Sequence, residues 1–159
     1  MVASVASDVI QHNRQETCFS YYGESPSPGD KVTLVDCDPA KTKLSNWVVT
    51  PVSGSQETNN EIVQFCIQGG NLCIGTIKGA LNPDLSIVLL DQDSTDTAQQ
   101  WTVKPSKRHN SFNTYANVLS DKCMHIDGPG RFASIITRDC SDGDERQHFI
   151  VTADFNKRF

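Results

Sequence analysis

The residues Leu89–Pro105, LLDQDSTDTAQQWTVKP, contain the pattern on which the whole chain is organised. An apolar run ends in an acidic turn, and Gln99-Gln100-Trp101 then opens a second short run of β-forming residues. Looser copies of this pattern lie at Leu34–Pro51 and Thr137–Ala153. The aromatic residues that open the second run recur at intervals of 54 and 48 residues: Trp47, Trp101 and Phe149. A repeat of this length predicts three similar structural units.

Short β-type runs separated by turn residues fill the sequence, and no helical period continues for ten residues. This pattern predicts one all-β, barrel-like domain with twelve strands in three sets of four. The repeats span about 5–51, 62–105 and 113–153 of a single domain covering 1–159, and we refer to them as copies one, two and three. The equivalent residues Val32, Ile87 and Ile135 are expected to point inward together with the three repeated aromatics. The predicted strands are 5–10, 17–22, 31–35, 47–49, 62–68, 72–77, 85–90, 101–103, 113–119, 123–126, 133–137 and 149–151.

The charge balance argues against two classes of partner. The chain has 14 Lys and Arg against 19 Asp and Glu, a net charge of −5. Nucleic acids and anionic membranes both attract basic surfaces, so no nucleic acid is expected as a partner. No apolar run approaches the roughly 18 residues of a membrane span, so no membrane insertion is expected. The first ten residues lack the basic start and long apolar stretch of a signal peptide, so secretion would need another route or a signal removed before Met1 was added.

Six cysteines, an even number in a chain this short, favour an oxidising compartment and a secreted protein. In copy one Cys18 and Cys37 are 19 residues apart, and Cys123 and Cys140 stand 17 apart at the equivalent places in copy three. The repeat register therefore predicts that each of these pairs forms a disulfide within its own copy.

Copy two has Cys73 at the first of these positions but Gln92 at the second, and it carries Cys66 instead. A two-residue hairpin turning at Gly69-Gly70, where both residues can take positive φ, would place Cys66 directly opposite Cys73. A disulfide can bridge that spacing, which predicts a third bridge. The alternative is that one of the three pairs stays reduced and buried.

The repeated cysteine and strand pattern, followed by a Q-x-W-like motif, resembles the ricin B-type lectins, whose β-trefoil domains carry three Q-x-W repeats. The resemblance covers nearly the whole chain from about Thr17 and implies a β-trefoil with pseudo-threefold symmetry. It rests on three motif pairs: Val32–Cys37 with Ser45-Asn46-Trp47, Ile87–Gln92 with Gln99-Gln100-Trp101, and Ile135–Cys140 with Gln147-His148-Phe149.

The resemblance also implies a galactose-type sugar site, but most of the residues that form this site in the family are replaced in this chain. The family places an Asp two residues after the first Cys, where this chain has Ser20, Gly75 and His125. It places an aromatic platform just before the second Cys, where this chain has Val35, Leu90 and Arg138. The Asn before the Q-x-W motif is replaced by Leu44, Ala98 and Arg146.

Copy three keeps the most polar residues, and its functional interpretation is a non-standard sugar site or a site for an acidic ligand. The alternative is that these are solvated turn charges, and that Gln99 in copy two bonds the backbone of its own repeat. The candidate ligand-binding residues are His125, Asp127, Arg131, Arg138, Asp139 and Gln147 in copy three, and Asp91 and Gln99 in copy two.

No catalytic or phosphate-binding motif is present, and the four histidines fall in different repeats or loops. We therefore expect no enzyme activity, no metal site and no cofactor. The resemblance implies a lectin-like carbohydrate-binding protein, with glycans as partners. The alternative is a protein partner, as for the lectin-like accessory subunit of a secreted oxidase such as a laccase or tyrosinase, or for a β-trefoil protease inhibitor. For that alternative the candidate surfaces are the loops 23–30, 52–60 and 106–112 and the tail 155–159.

Overall fold

The computed structural model describes residues 8–12, 16–38, 46–52, 61–77, 86–108 and 111–153. Twelve strands and two short 3₁₀ turns, at Thr97–Gln99 and Glu145–Gln147, make up its regular structure, which confirms the all-β prediction. The strands are β1 Asp8–His12, β2 Thr17–Tyr21, β3 Val32–Asp36, β4 Trp47–Pro51, β5 Ile62–Ile67, β6 Leu72–Thr76, β7 Ile87–Asp91, β8 Trp101–Pro105, β9 Asn113–Asn117, β10 Cys123–Asp127, β11 Ser134–Arg138 and β12 Phe149–Ala153.

Six strands close into a barrel. β1 pairs with β12, β12 with β9, β9 with β8, β8 with β5, β5 with β4, and β4 with β1, all antiparallel. Each strand of this ring has a partner on both sides, so closure leaves no free edge. The barrel joins the N-terminal strand to the C-terminal one.

The other six strands form three hairpins, one in each copy: β2–β3, β6–β7 and β10–β11. Their registers are equivalent, since the first cysteine of each copy faces Val35, Leu90 or Arg138. Single bridges link the hairpins pairwise: Thr33 to Ser134, Lys31 to Val88, and Ser86 to Ile136. A barrel of six strands with three linked hairpins is a β-trefoil, as predicted.

The core is built from the repeated inward positions. Val32, Ile87 and Ile135 are fully buried, as are Trp47, Trp101 and Phe149. The Trp47 Nε1–H donates to the Phe19 carbonyl at 3.2 Å, and the Trp101 Nε1–H donates to the equivalent Ile74 carbonyl at 3.1 Å. The repeated aromatics therefore belong to the core and are not exposed ligand platforms.

All three predicted disulfides are present: Cys18–Cys37, Cys66–Cys73 and Cys123–Cys140. The turn between Cys66 and Cys73 differs from the prediction. The Gly70 N–H donates to the Ile67 carbonyl, so the turn is centred on Gln68 and Gly69, and only Gly69 has positive φ (+71°). A positive φ at the third residue is the arrangement of a type II turn, and it still leaves the two cysteines directly paired.

The first strand also differs from its predicted bounds. The predicted strand ended at Ile10, but β1 continues to His12 because Gln11 and His12 pair with Ile150 and Phe149 of β12. The predicted start of this strand at 5–7 lies outside the described residues. Polar residues thus enter the strand because barrel closure supplies their backbone partners.

Candidate functional site

The outer face of the β10–β11 hairpin carries a cluster of charged side chains. Met124 and Ile126 of β10 point into the core, so the alternate residues His125 and Asp127 lie on the opposite face. A guanidinium nitrogen of Arg138, from β11, lies 3.7 Å from an Asp127 carboxylate oxygen. Their side chains are 40% and 54% exposed, so both are accessible to a ligand.

The loop after β11 brings two more charges to this face. Asp144 begins the 3₁₀ turn, and its carboxylate accepts hydrogen bonds from the Arg146 backbone N–H and from Arg146 Nε and Nη2. These bonds to the guanidinium lower the pKa of the Asp144 carboxyl and keep it charged. One Asp144 oxygen lies 3.7 Å from His125 Nδ1. We call His125, Asp127, Arg138, Asp144 and Arg146 the copy-three polar cluster.

His125 is the buried member of the cluster, with 1% of its surface exposed. Burial lowers its pKa, and the positive charges of Arg146 and Arg138 act in the same direction, against the opposing effect of Asp144. The imidazole is therefore neutral at pH 7. Since it does not reach solvent, His125 supports the cluster from below while its charged neighbours face outward.

Gln147 and Gln99 play the same part in their respective copies. Gln147 accepts from the Ser141 N–H and donates to the Asp139 carbonyl, and Gln99 accepts from the Asp93 N–H and donates to the Asp91 carbonyl. Both side chains are almost completely buried. Each glutamine thus closes the acidic turn before its aromatic residue, with its amide oxygen and nitrogen bonded to backbone groups.

Two other predicted residues form ion pairs with residues outside the cluster. Arg131 forms a 2.6 Å ion pair with Asp36 of copy one, whose carboxylate is 93% buried and needs a cationic partner. Asp139 pairs with Lys122 at 2.6 Å, and this bond lowers the pKa of its carboxyl. The expected convergence is therefore partial: His125, Asp127, Arg138 and Gln147 meet, while Arg131 and Asp139 bond elsewhere.

In the described part of copy two, the position equivalent to His125 has no room for a side chain. Gly75 stands where the family has its sugar-binding Asp, and a Cβ atom there would lie 2.7 Å from Leu90 Cδ1 and 2.9 Å from the Ala98 carbonyl oxygen. The equivalent residues Ser20 and His125 are also buried. Asp91 is exposed, but it lies on the β6–β7 hairpin of copy two and not on the β10–β11 hairpin that carries the copy-three polar cluster. The position of the family's carboxylate is thus covered in all three copies.

The prediction from sequence did not include Asp144 and Arg146 among the candidate ligand residues. A usable signal was present, since Asp96-Thr97-Ala98-Gln99 and Asp144-Glu145-Arg146-Gln147 share an Asp three residues before the glutamine. Both Asp residues cap their 3₁₀ turns in the same way, and only copy three places an arginine after the cap. Reading the two turns side by side would have assigned Arg146 to the cluster.

The described residues contain no group of three or more His, Cys, Asp or Glu side chains arranged to hold a metal ion. Within the same part of the chain, no helix is long and apolar enough to cross a membrane.

Comparison with solved structures agrees with the fold. The designed threefold-symmetric protein ThreeFoil superposes with a TM-score of 0.74 at 11% identity, covering 91% of this chain and 96% of ThreeFoil. The C-half of the earthworm R-type lectin, solved in complex with GalNAc, gives 0.66 at 15% identity and covers 94% and 100%. A Culex salivary protein of the Cysteine and Tryptophan-Rich family gives 0.67 at 11% identity and covers 94% of both chains. At these identities the likeness shows the β-trefoil fold alone.

Comparisons of the sequence alone found no match. No protein-family model matches it, and no curated protein does.

Proposed function

We propose that this protein is a secreted, non-enzymatic, lectin-like protein that binds glycans through the copy-three polar cluster. The observation that carries the proposal is the pair of accessible, oppositely charged groups on the β10–β11 face, Asp127 with Arg138, beside the pair Asp144 with Arg146. Carboxylates accept hydrogen bonds from sugar hydroxyls, and guanidinium groups donate to hydroxyl, ring or carboxylate oxygens. One pair lies on the β10–β11 hairpin and the other on the neighbouring 3₁₀ turn, so donors and acceptors lie side by side.

The cluster favours a sugar other than the galactose type expected from the resemblance. Arg138 replaces the aromatic platform, and the buried His125 replaces the carboxylate two residues after the first cysteine. Binding then depends on the exposed charged groups, which suits a ligand rich in hydroxyl or carboxylate groups. The two positive and two negative charges balance, so the cluster does not require an anionic sugar.

The non-enzymatic part of the proposal is supported by the burial of the histidine. His125 is only 1% exposed beneath the cluster, whereas general acid or base catalysis requires a group within hydrogen-bond reach of the substrate. The secreted location is supported by the three disulfides, which persist in oxidising compartments.

The test is a glycan-array screen of the purified protein at physiological salt, comparing wild type with Asp127→Asn. We expect selective binding that the variant loses. Asp121→Asn is the matched control, because Asp121 also lies 3.7 Å from its cationic partner, Lys104, is also exposed, and loses the same charge. If Asp127→Asn still binds the same glycans, the binding site lies outside the copy-three polar cluster. If wild type binds no glycan, the lectin proposal is contradicted.

A protein-binding role is the second candidate, and the covered sugar positions of all three copies favour it. Of the surfaces predicted for it, residues 23–30 are described, whereas 53–60, 109–110 and the tail 155–159 lie outside the described residues. This candidate would be supported over the first by a purified protein that binds this chain and whose affinity is the same for wild type and Asp127→Asn.

A further inference from the structure

Phe132, in the loop between β10 and β11, has an unusual combination of backbone conformation and exposure. Its φ is +63°, in the left-handed region that bulky side chains avoid, and 70% of its surface is exposed. Among the described residues only one other non-glycine residue has positive φ, Asp121, and aspartate tolerates this conformation well. Neither backbone preference nor core packing explains a phenylalanine here.

The repeat shows what this position requires. Phe132 lies three residues before Ile135, and Gly29 lies three residues before the equivalent Val32. Gly29 has φ +93°, and its N–H donates to the Leu89 carbonyl at 2.7 Å just as the Phe132 N–H donates to the equivalent Leu34 carbonyl at 2.8 Å. Copy one therefore makes the same turn with the residue that adopts this conformation without strain. In copy three a large aromatic occupies the same turn.

The surrounding bonds hold Phe132 in place. Leu34 of copy one binds both sides of it, accepting from the Phe132 N–H and donating to the Ala133 carbonyl. The neighbouring Arg131 is fixed by its 2.6 Å ion pair with the buried Asp36. A strained residue that its surroundings hold this firmly is typical of a ligand-contacting site. Arg131 is 60% exposed, and its guanidinium has N–H donors besides the nitrogen that pairs with Asp36.

This loop continues directly from the copy-three polar cluster. Asp127 pairs with Ser134, and Phe132 is two residues from Ser134. A paired Cα distance of about 5.5 Å and two steps of about 3.8 Å place the Phe132 Cα within about 13 Å of the Asp127 Cα. A short oligosaccharide spans that separation.

We propose that Phe132 is an aromatic platform for a pyranose ring, with Arg131 donating to its hydroxyls, and that it extends the glycan site by one sugar unit. The inference rests on the proposed function, because it supplies the apolar contact that the cluster lacks where Arg138 replaces the expected aromatic. The flat face of a phenyl ring fits the C–H face of a sugar, whereas one isolated phenylalanine offers little area to a protein interface.

The experiment measures the Kd for the strongest array ligand, and for lactose, cellobiose, chitotriose and 3′-sialyllactose, by isothermal titration calorimetry. Phe132→Gly adopts the local backbone of Gly29, so we expect an unfolding midpoint no lower than that of wild type. Its Kd should rise about tenfold, the loss expected when roughly 50 Å² of apolar contact is removed. Phe132→Trp should keep the affinity, and sugar binding should change the fluorescence of the new indole. Tyr22→Ala is the control, because Tyr22 is equally exposed on the β2–β3 hairpin.

The outcomes separate this inference from the function on which it rests. If wild type and Phe132→Gly bind a sugar equally, the platform is refuted and the lectin proposal stands. If wild type binds none of the sugars, both are refuted. If Phe132→Gly fails to fold, Phe132→Trp decides alone: indole fluorescence unaffected by a bound sugar would overturn the platform.

Discussion

Replacing Gly75 by alanine tests whether the copy-two sugar position is closed by packing. The added Cβ would lie 2.7 Å from Leu90 Cδ1 and 2.9 Å from the Ala98 carbonyl oxygen, both well inside normal contact distance. Leu90 can rotate away, but the Ala98 carbonyl accepts a 2.9 Å hydrogen bond from Asn117 Nδ2 in the protein interior. The carbonyl can move only by lengthening that bond.

The magnitude follows from opposing effects. Overpacking of this kind costs about 1–3 kcal/mol, and weakening a buried hydrogen bond adds up to about 1 kcal/mol. Replacing glycine by alanine also lowers the entropy of the unfolded chain, which stabilises the fold by about 0.4–1 kcal/mol. We therefore expect the free energy of unfolding to fall by about 1–2 kcal/mol.

Urea unfolding with the disulfides intact measures this change. With an m-value of about 2 kcal/mol/M, the midpoint should fall by about 0.5–1 M. Gly70→Ala is the control, because its φ is not positive and its Cβ would meet Ile67 at an ordinary 3.6 Å. It should unfold at the same urea concentration as wild type or slightly higher. Equal midpoints for Gly75→Ala and Gly70→Ala would refute the conclusion that packing leaves no room for a side chain at Gly75.

The remaining predictions concern pH and the indole hydrogen bonds. Burial lowers the pKa of His12 in the folded state despite its bond to the Glu145 carbonyl, so the folded protein binds fewer protons than the unfolded chain. The stability that His12 contributes should be constant above about pH 6.5 and fall as the pH drops below that value towards its folded pKa. His12→Gln should reduce the difference between urea midpoints at pH 7.5 and 5.5 and leave the part that comes from His125, whose pKa burial also lowers; an undiminished difference would contradict this. Trp101→Phe should cost about 1–3 kcal/mol in the same assay, because it leaves the buried Ile74 carbonyl without its indole donor. Since Phe149 fills the equivalent core position, the variant should still fold; an unchanged midpoint would show that this bond contributes no stability.

Much of the fold follows from spacing along the chain. The threefold recurrence of Trp47, Trp101 and Phe149 predicted three similar units, and the short β-type runs between turn residues predicted four strands in each. Cys18–Cys37 and Cys123–Cys140 were predictable from the repeat, and Cys66–Cys73 from the short turn between its two cysteines. The acidic turns closed by Gln99 and Gln147 are equally local, with every bond formed within eight residues.

The candidate site was only partly predictable. His125 alternates with core residues, so its strand and face follow from sequence, but its burial depends on how the 3₁₀ turn at Glu145–Gln147 packs over it. Arg131 was expected beside Asp127, yet it binds Asp36 from a strand nearly a hundred residues earlier in the chain. Spacing within a copy carries no information on contacts between copies.

The sequence by itself thus determined the strands, their pairing within each copy and the three disulfides, because these depend on residues close together in the chain. Only the tertiary structure decided which charged groups meet on the copy-three face, that Gly75 has no room for a side chain, and that Phe132 takes the backbone conformation of a glycine. Each of these depends on packing or on bonds between copies, as when Leu34 of copy one fixes the backbone on both sides of Phe132.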